Sequence, residues 1–278
     1  MNIKQVEGFY TTPPLWKAHQ FGIEQFEFPR MDLTHFKGAE IPQNLRLGHQ
    51  MEHVFEQLIC FDSTYSILLQ NQAVRSGKTT IGELDFILKH TQTGQVQHVE
   101  LTYKFYIIDP SISEPIHRLM GPNRRDMFFT KMEKIRNDQF TLIQKPEADH
   151  MLRSQNINVT QIQQTCCFKA QLFRPFNDST VHIRPLNPDC VVGYWMRFED
   201  FERADFRDNS FYIPFKKEWP IHAHDEVTWM SYIETLMEVN LRMIQKKCTH
   251  ALDEKSIRNH RQAICGLVVA IYVCFSIH

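Results

Sequence analysis

The residues with the clearest chemical potential lie in two neighbouring runs. Gly82-Glu83-Leu84-Asp85-Phe86 is followed, after a polar stretch, by His98-Val99-Glu100-Leu101-Thr102-Tyr103-Lys104-Phe105-Tyr106. In the second run Val99, Leu101, Tyr103 and Phe105 alternate with His98, Glu100, Thr102 and Lys104, the period of a half-buried strand. Residues 83–88 read as its partner, with Thr91-Gln92-Thr93-Gly94-Gln95 as the turn. Asp85 can then face the same way as Glu100. Two carboxylates and an ammonium on one sheet face can hold Mg2+ or Mn2+ through hard oxygen ligands, and the lysine can stabilise an anionic transition state. The plain alternative is a solvated strand face with a surface ion pair.

Positioning these groups falls to the elements around them. Residues 44–60 predict an amphipathic helix: Leu47, Met51, Val54, Phe55 and Leu58 form its stripe, with Glu52 beside it as a third carboxylate. Gly121-Pro122-Asn123 predicts the opening of a second helix, with Asn123 as N-cap, Asp126 at the capping-box position, and Phe128, Met132 and Ile135 as the apolar face. Arg124 and Arg125 fall in its first turn and Lys131 further along. Basic residues near a helix N-terminus favour phosphate, so these three are the candidate nucleic-acid contacts. Residues 144–156 are polar and lack apolar periodicity, which makes them the best boundary. It would separate an α/β core over 1–145 from an α+β region over 156–278 that could continue the same domain. In that region Cys167–Phe173, Thr180–Arg184, Cys190–Phe198 and Ser210–Phe215 read as short strands, and 225–247 as a long helix.

Composition narrows the class. The chain of 278 residues has a formal net charge of -1, balanced in both halves, so a nucleic-acid contact must come from a local patch. Seven cysteines without a C-x-x-C pair fit reduced, mostly buried thiols in a cytoplasmic protein rather than a disulfide framework or zinc finger. No signal pattern opens the chain, and no membrane span is expected. The apolar Val268–Val273 stretch reads as a buried strand, with a membrane-associated tail as the alternative. Ser76-Gly77-Lys78-Thr79-Thr80 imitates a phosphate loop but reads as a polar turn, because Gln72 stands where the first glycine is needed. His222-Ala223-His224-Asp225 reads as a solvated helix entry rather than a chelate. Phe128, Phe129 and Trp195 read as core rather than as base-stacking platforms.

Taken together, an acid on a helix, G-E-x-D, an acid-x-x-x-lysine strand and a helix with basic residues resemble the PD-(D/E)XK nuclease-like superfamily. More narrowly, Arg46-Leu47-Gly48 with Glu52, Gly82–Phe86, Glu100-Leu101 with Lys104-Phe105-Tyr106, and Gly121-Pro122-Asn123 with Asp126 and Lys131 look like one uncharacterised bacterial family in that superfamily. Phe168-Lys169-Ala170, Leu186-Asn187-Pro188, Gly193-Tyr194-Trp195, and Phe215-Lys216 with Trp219 extend the likeness over about residues 45–220. The resemblance implies an α/β fold with a central mixed sheet flanked by helices, and Mg2+- or Mn2+-dependent phosphodiester hydrolysis on DNA or RNA. Asp85 and Glu100 would be metal ligands, Glu52 would orient the metal or its water, and Lys104 would stabilise developing charge. The superfamily lysine usually stands two residues after the acid, where this chain has Thr102. Lys104 keeps the strand face but lies about 6.6 Å further along. The alternative is a catalytically silent protein that uses the same fold for binding or as a scaffold.

Overall fold

The alternating run at 96–108 becomes a central strand of a nine-stranded mixed sheet in the computed structural model, which describes residues 3–121, 126–178, 180–204, 206–222, 226–250 and 268–271. In chain order, α1 (Ile3–Thr11), β1 (His19–Gln20) and β2 (Ile23–Gln25) precede α2 (Leu47–Phe61). The strands β3 (Tyr65–Ser76), β4 (Thr79–His90) and β5 (Val96–Ile108) then form an antiparallel meander. After β6 (Leu119–Met120) come α3 (Phe128–Lys134), a π turn over Ile135–Gln139, α4 (Phe140–Leu142) and α5 (Pro146–Ser154). The chain closes with β7 (Ile162–Pro175), β8 (Val191–Arg197), α6 (Phe198–Arg203), β9 (Ser210–Phe211), β10 (Met230–Ser231), α7 (Tyr232–His250) and β11 (Val268–Ile271).

The main sheet runs β1-β2-β7-β5-β4-β3, with β8 and β11 continuing beyond the far end of β7. β7 lies parallel to β5 from Val96–Ile162 to Ile107–Phe173, so α3 to α5 form the crossover that a parallel pair requires. The helices take opposite faces. Val6 and Phe9 of α1 and Met51, Val54, Phe55 and Leu58 of α2 pack on Phe86, Val99, Tyr103 and Phe105. Phe128, Met132 and Ile135 pack on Tyr106, Cys166, Phe168 and Ala170. This is a helix–sheet–helix sandwich, its centre read by β5 and β7. β3 closes the sheet as an edge, with breaks in its register between Ile67 and Leu69 and between Val74 and Arg75.

Several expectations change. Residues 144–156 are not a connector: they form α5, whose Ala148 and Leu152 are fully buried against Leu69, Val74 and Leu84. Two apolar positions one turn apart were enough to seat a short helix in an otherwise polar segment. The second helix starts at Phe128, because Met127 is extended and bridges Met120 antiparallel. The proposed N-cap Asn123, together with Arg124 and Arg125, lies outside the described residues.

At 180–184 no strand forms, since Asp178 turns back to accept from the Thr180 N–H and hydroxyl. The strand at 210 ends after Phe211. α7 begins at 232 rather than 225. There Ser231 and Glu234 form the reciprocal start signal, with the Glu234 carboxylate accepting from the Ser231 N–H at 2.7 Å. The 76–80 segment is the β3–β4 turn, with Gly77 at φ 59°, and Ser76 pairs with Thr79. β11 is a strand, antiparallel to β8. Among the described residues, Cys166, Cys167 and Cys190 are buried thiols, Cys60 is exposed, and no helix is long and apolar enough to cross a membrane.

Candidate active site

The β4–β5 ladder stops at the Phe86–Val99 pair. One step further, in the same register, Asp85 comes opposite Glu100. Here the backbones part, and the Asp85 side chain supplies the acceptor that a strand would have given: its Oδ2 takes the Leu101 N–H at 2.8 Å. Glu100 is completely buried. Its Oε1 lies 2.9 Å from His98 Nε2, and its Oε2 accepts from the Gln139 amide. Gln164 donates to the Phe140 carbonyl and faces His98 Nδ1, which assigns the ring proton to Nε2 and makes His98 the donor to Glu100.

Burial pushes the Asp85 carboxyl up to about 8. The negative charges of Glu100 and Glu52 add to this, while the Leu101 hydrogen bond and Lys131 oppose it. Lys131 is the cation at the site. Its own pKa is lowered, chiefly by burial, with Lys104 adding to the effect and Cys166, Glu100 and Asp85 opposing it. The ammonium donates to Gln139 Oε1 at 2.9 Å. Lys131 and Gln139 are eight residues apart, which on a plain α-helix leaves them about 80° apart around the axis at 3.6 residues per turn. The π turn absorbs one extra residue and returns Gln139 to the Lys131 face.

Lys104 points along the same strand face but is held by Asp126, Nζ to Oδ2 at 2.5 Å, at a half-exposed position. Thr102, two residues after Glu100, is only 4% exposed with its hydroxyl unpartnered. Glu52 approaches from α2. Its Oε2 is taken up by His49 at 3.0 Å and Asn71 at 3.1 Å, yet it stands near enough to act on Asp85. Asn71 lies between the Gln70–Phe86 and Gln72–Leu84 pairs, opposite Asp85, with φ 47° in the left-handed region. A non-glycine residue there is strained, and asparagine tolerates it best.

The structure therefore gathers Asp85, Glu100 and Lys131, leaves Glu52 near enough to act on Asp85 but bonded to His49 and Asn71, and pairs the partly exposed Lys104 with Asp126. Sequence reasoning set Lys131 among the nucleic-acid contacts and missed Asn71, His49, His98 and Gln139 as partners. His98 was legible by parity with Glu100. Gln139 was not, because its place depends on a π turn. Of the other motifs, His222 Nε2 lies 2.7 Å from the Thr11 hydroxyl, whereas His224 and Asp225 fall outside the described residues. Phe128 is core, Trp195 donates to the Ile108 carbonyl, and Phe129 packs on His117.

A family model described as Domain of unknown function (DUF1853) matches residues 18–263. The chain belongs to this family. The DUF1853 match takes in every residue of the site, from Glu52 to Gln139, and extends over both sides of α5. No curated protein and no solved structure matches the chain.

A hard cation suits part of this DUF1853 donor set. Asp85 and Glu100 are oxygen donors of the right chemistry, and the Asp85 carboxyl is raised first by burial and then by the neighbouring Glu100 charge. Glu52 pairs with His49 and Asn71, and no group of three or more His, Cys, Asp or Glu side chains able to hold a metal forms among the described residues.

Proposed function

We propose that this protein is a nuclease-like phosphodiesterase of the PD-(D/E)XK kind, acting on DNA or RNA with Mg2+ or Mn2+. The observation that carries the reading is the meeting of Asp85 and Glu100 where β4 and β5 part, with the Lys131 ammonium beside them. Asp85 and Glu100 would hold the cation, which supplies Lewis acidity and a more acidic water. His98 and Gln139 hold Glu100 from both oxygens, so its carboxylate is oriented in advance. Lys131 neutralises charge that develops on the phosphate, in a site where burial strengthens that interaction. On this reading the lysine function has moved from the strand to the helix, and Lys104 serves at the rim, where it meets substrate while paired to Asp126.

The test separates binding from chemistry. Lys131→Met is expected to lower cleavage of a single- and double-stranded DNA and RNA panel by at least about 100-fold. Calorimetric Mn2+ affinity should stay within a few-fold of wild type, because lysine is not a ligand. Lys104→Met should cost about 10-fold or less. A wild-type protein that binds no Mn2+ and cleaves nothing on the panel would sink the enzymatic reading. A larger loss in Lys104→Met than in Lys131→Met would return the role to the strand.

One observation favours a second reading, a catalytically silent protein that uses the fold for binding. The Glu100 oxygens and Asp85 Oδ2 already have partners from within the chain. In that case Asp85→Asn leaves every partner interaction intact.

A further inference from the structure

Gln139 stands between two charged groups. A lysine only donates and a carboxylate only accepts, so its contacts with Lys131 and Glu100 fix the amide in one orientation. The position is costly to build, since it needs the π turn that brings residue 139 onto the Lys131 face. An arrangement with Lys131 directly on Glu100 would need neither.

We propose that Gln139 is a spacer that keeps the Lys131 ammonium one amide away from Glu100, leaving the carboxylate to a cation and the ammonium to the substrate's phosphate. The proposal rests on the reading of Asp85 and Glu100 as a cation site. A direct contact would form an ion pair in a largely dehydrated place, where opposite charges attract far more than in water. That pair would cancel the charge a cation needs and take up lone pairs it would use. The neutral amide satisfies Glu100 Oε2 without cancelling its charge, and His98 does the same for Oε1. Gln139 is thus a positioning residue.

Gln139→Leu keeps much of the side-chain volume and removes both hydrogen bonds; Gln139→Met repeats the test should the leucine variant fail to fold. Without the amide, Lys131 is expected to close onto Glu100. A crystal structure of the cation-free variant should place Nζ at salt-bridge distance from Oε2, and calorimetric Mn2+ affinity should fall about 10-fold or more. Adding Lys131→Met should then return Mn2+ affinity to within a few-fold of wild type, without restoring cleavage. A structural role for Gln139 predicts instead that the second substitution recovers nothing, and that result would overturn the spacer. So would a variant in which Lys131 stays away from Glu100. If wild type binds no Mn2+, the cation reading fails by itself, while the position of Lys131 in the variant still decides for or against the spacer.

Discussion

In a chelator, Asp85→Asn is expected to make the protein more stable at pH 8 while removing its cation binding. The Asp85 carboxyl is raised from its ordinary range to about 8, first by burial and then by Glu100 and Glu52. In the unfolded chain it titrates near pH 4. Between those values the folded state binds more protons than the unfolded state, so stability falls as pH rises. The slope reaches about 1.4 kcal/mol per pH unit for one proton. Asn carries no proton to lose and can still turn its carbonyl oxygen to the Leu101 N–H. Urea midpoints at pH 5 and pH 8 should therefore diverge in the wild type and nearly coincide in the variant. A variant less stable than wild type at pH 8 would show that the buried charge is compensated by a group not identified at this site. Mn2+ should raise the wild-type midpoint at pH 8 and leave the variant's unchanged, since a ligand stabilises only the state that binds it.

Gly8→Ala should destabilise sharply, against the usual trend. In a helix interior this exchange ordinarily gains about 1 kcal/mol through backbone entropy. Gly8 lies inside α1, where an added Cβ would meet the Pro220 carbonyl oxygen at 1.8 Å. That oxygen is backbone and has no rotamer to change. The 216–221 turn is in turn tied to α1 through Gln5, whose amide donates to the Lys217 carbonyl. Relieving the clash must separate α1 from that turn, at a cost of about 2–3 kcal/mol and a fall in Tm of roughly 5–10 °C. Gly48→Ala in α2 is the control, since nothing lies within 4 Å of its added Cβ. It should leave Tm unchanged or slightly raised. Equal effects at the two glycines would mean that α1 can shift freely.

What could be read from the residues and what could not divide along physical lines. Strand parity placed Asp85 and Glu100 on one face, because period 2 survives any twist of the sheet. The helical stripe of α2 was equally plain, and with it the approach of Glu52. The α/β class followed from the same two periodicities, whereas the mixed sheet was an expectation of the resemblance alone. Lys131 could not be assigned in this way. Its stripe predicts a helix, yet whether the lysine looks outward or into the sheet depends on where that helix starts, and the Met120–Met127 bridge delays the start to Phe128. Gln139 depends on a single extra residue in one turn, and Asn71 on one left-handed φ inside a strand. None of the three carries a compositional trace. The 144–156 segment failed for another reason: a nine-residue helix needs only two buried positions, too few to register as a period.

The irregular edge of the sheet has a consequence for solubility. From Tyr65 to Val74 the β3 edge carries no charged residue, the composition that invites a second chain to add its own strand. Continuous addition requires an unbroken row of backbone donors and acceptors. Here that row is interrupted near Leu68, again at Asn71, and once more at Val74–Arg75. No uninterrupted run reaches the length of a fibril-like pairing segment, so the distortion that sets Asn71 beside Glu52 also makes β3 a poor template for a second copy's strand.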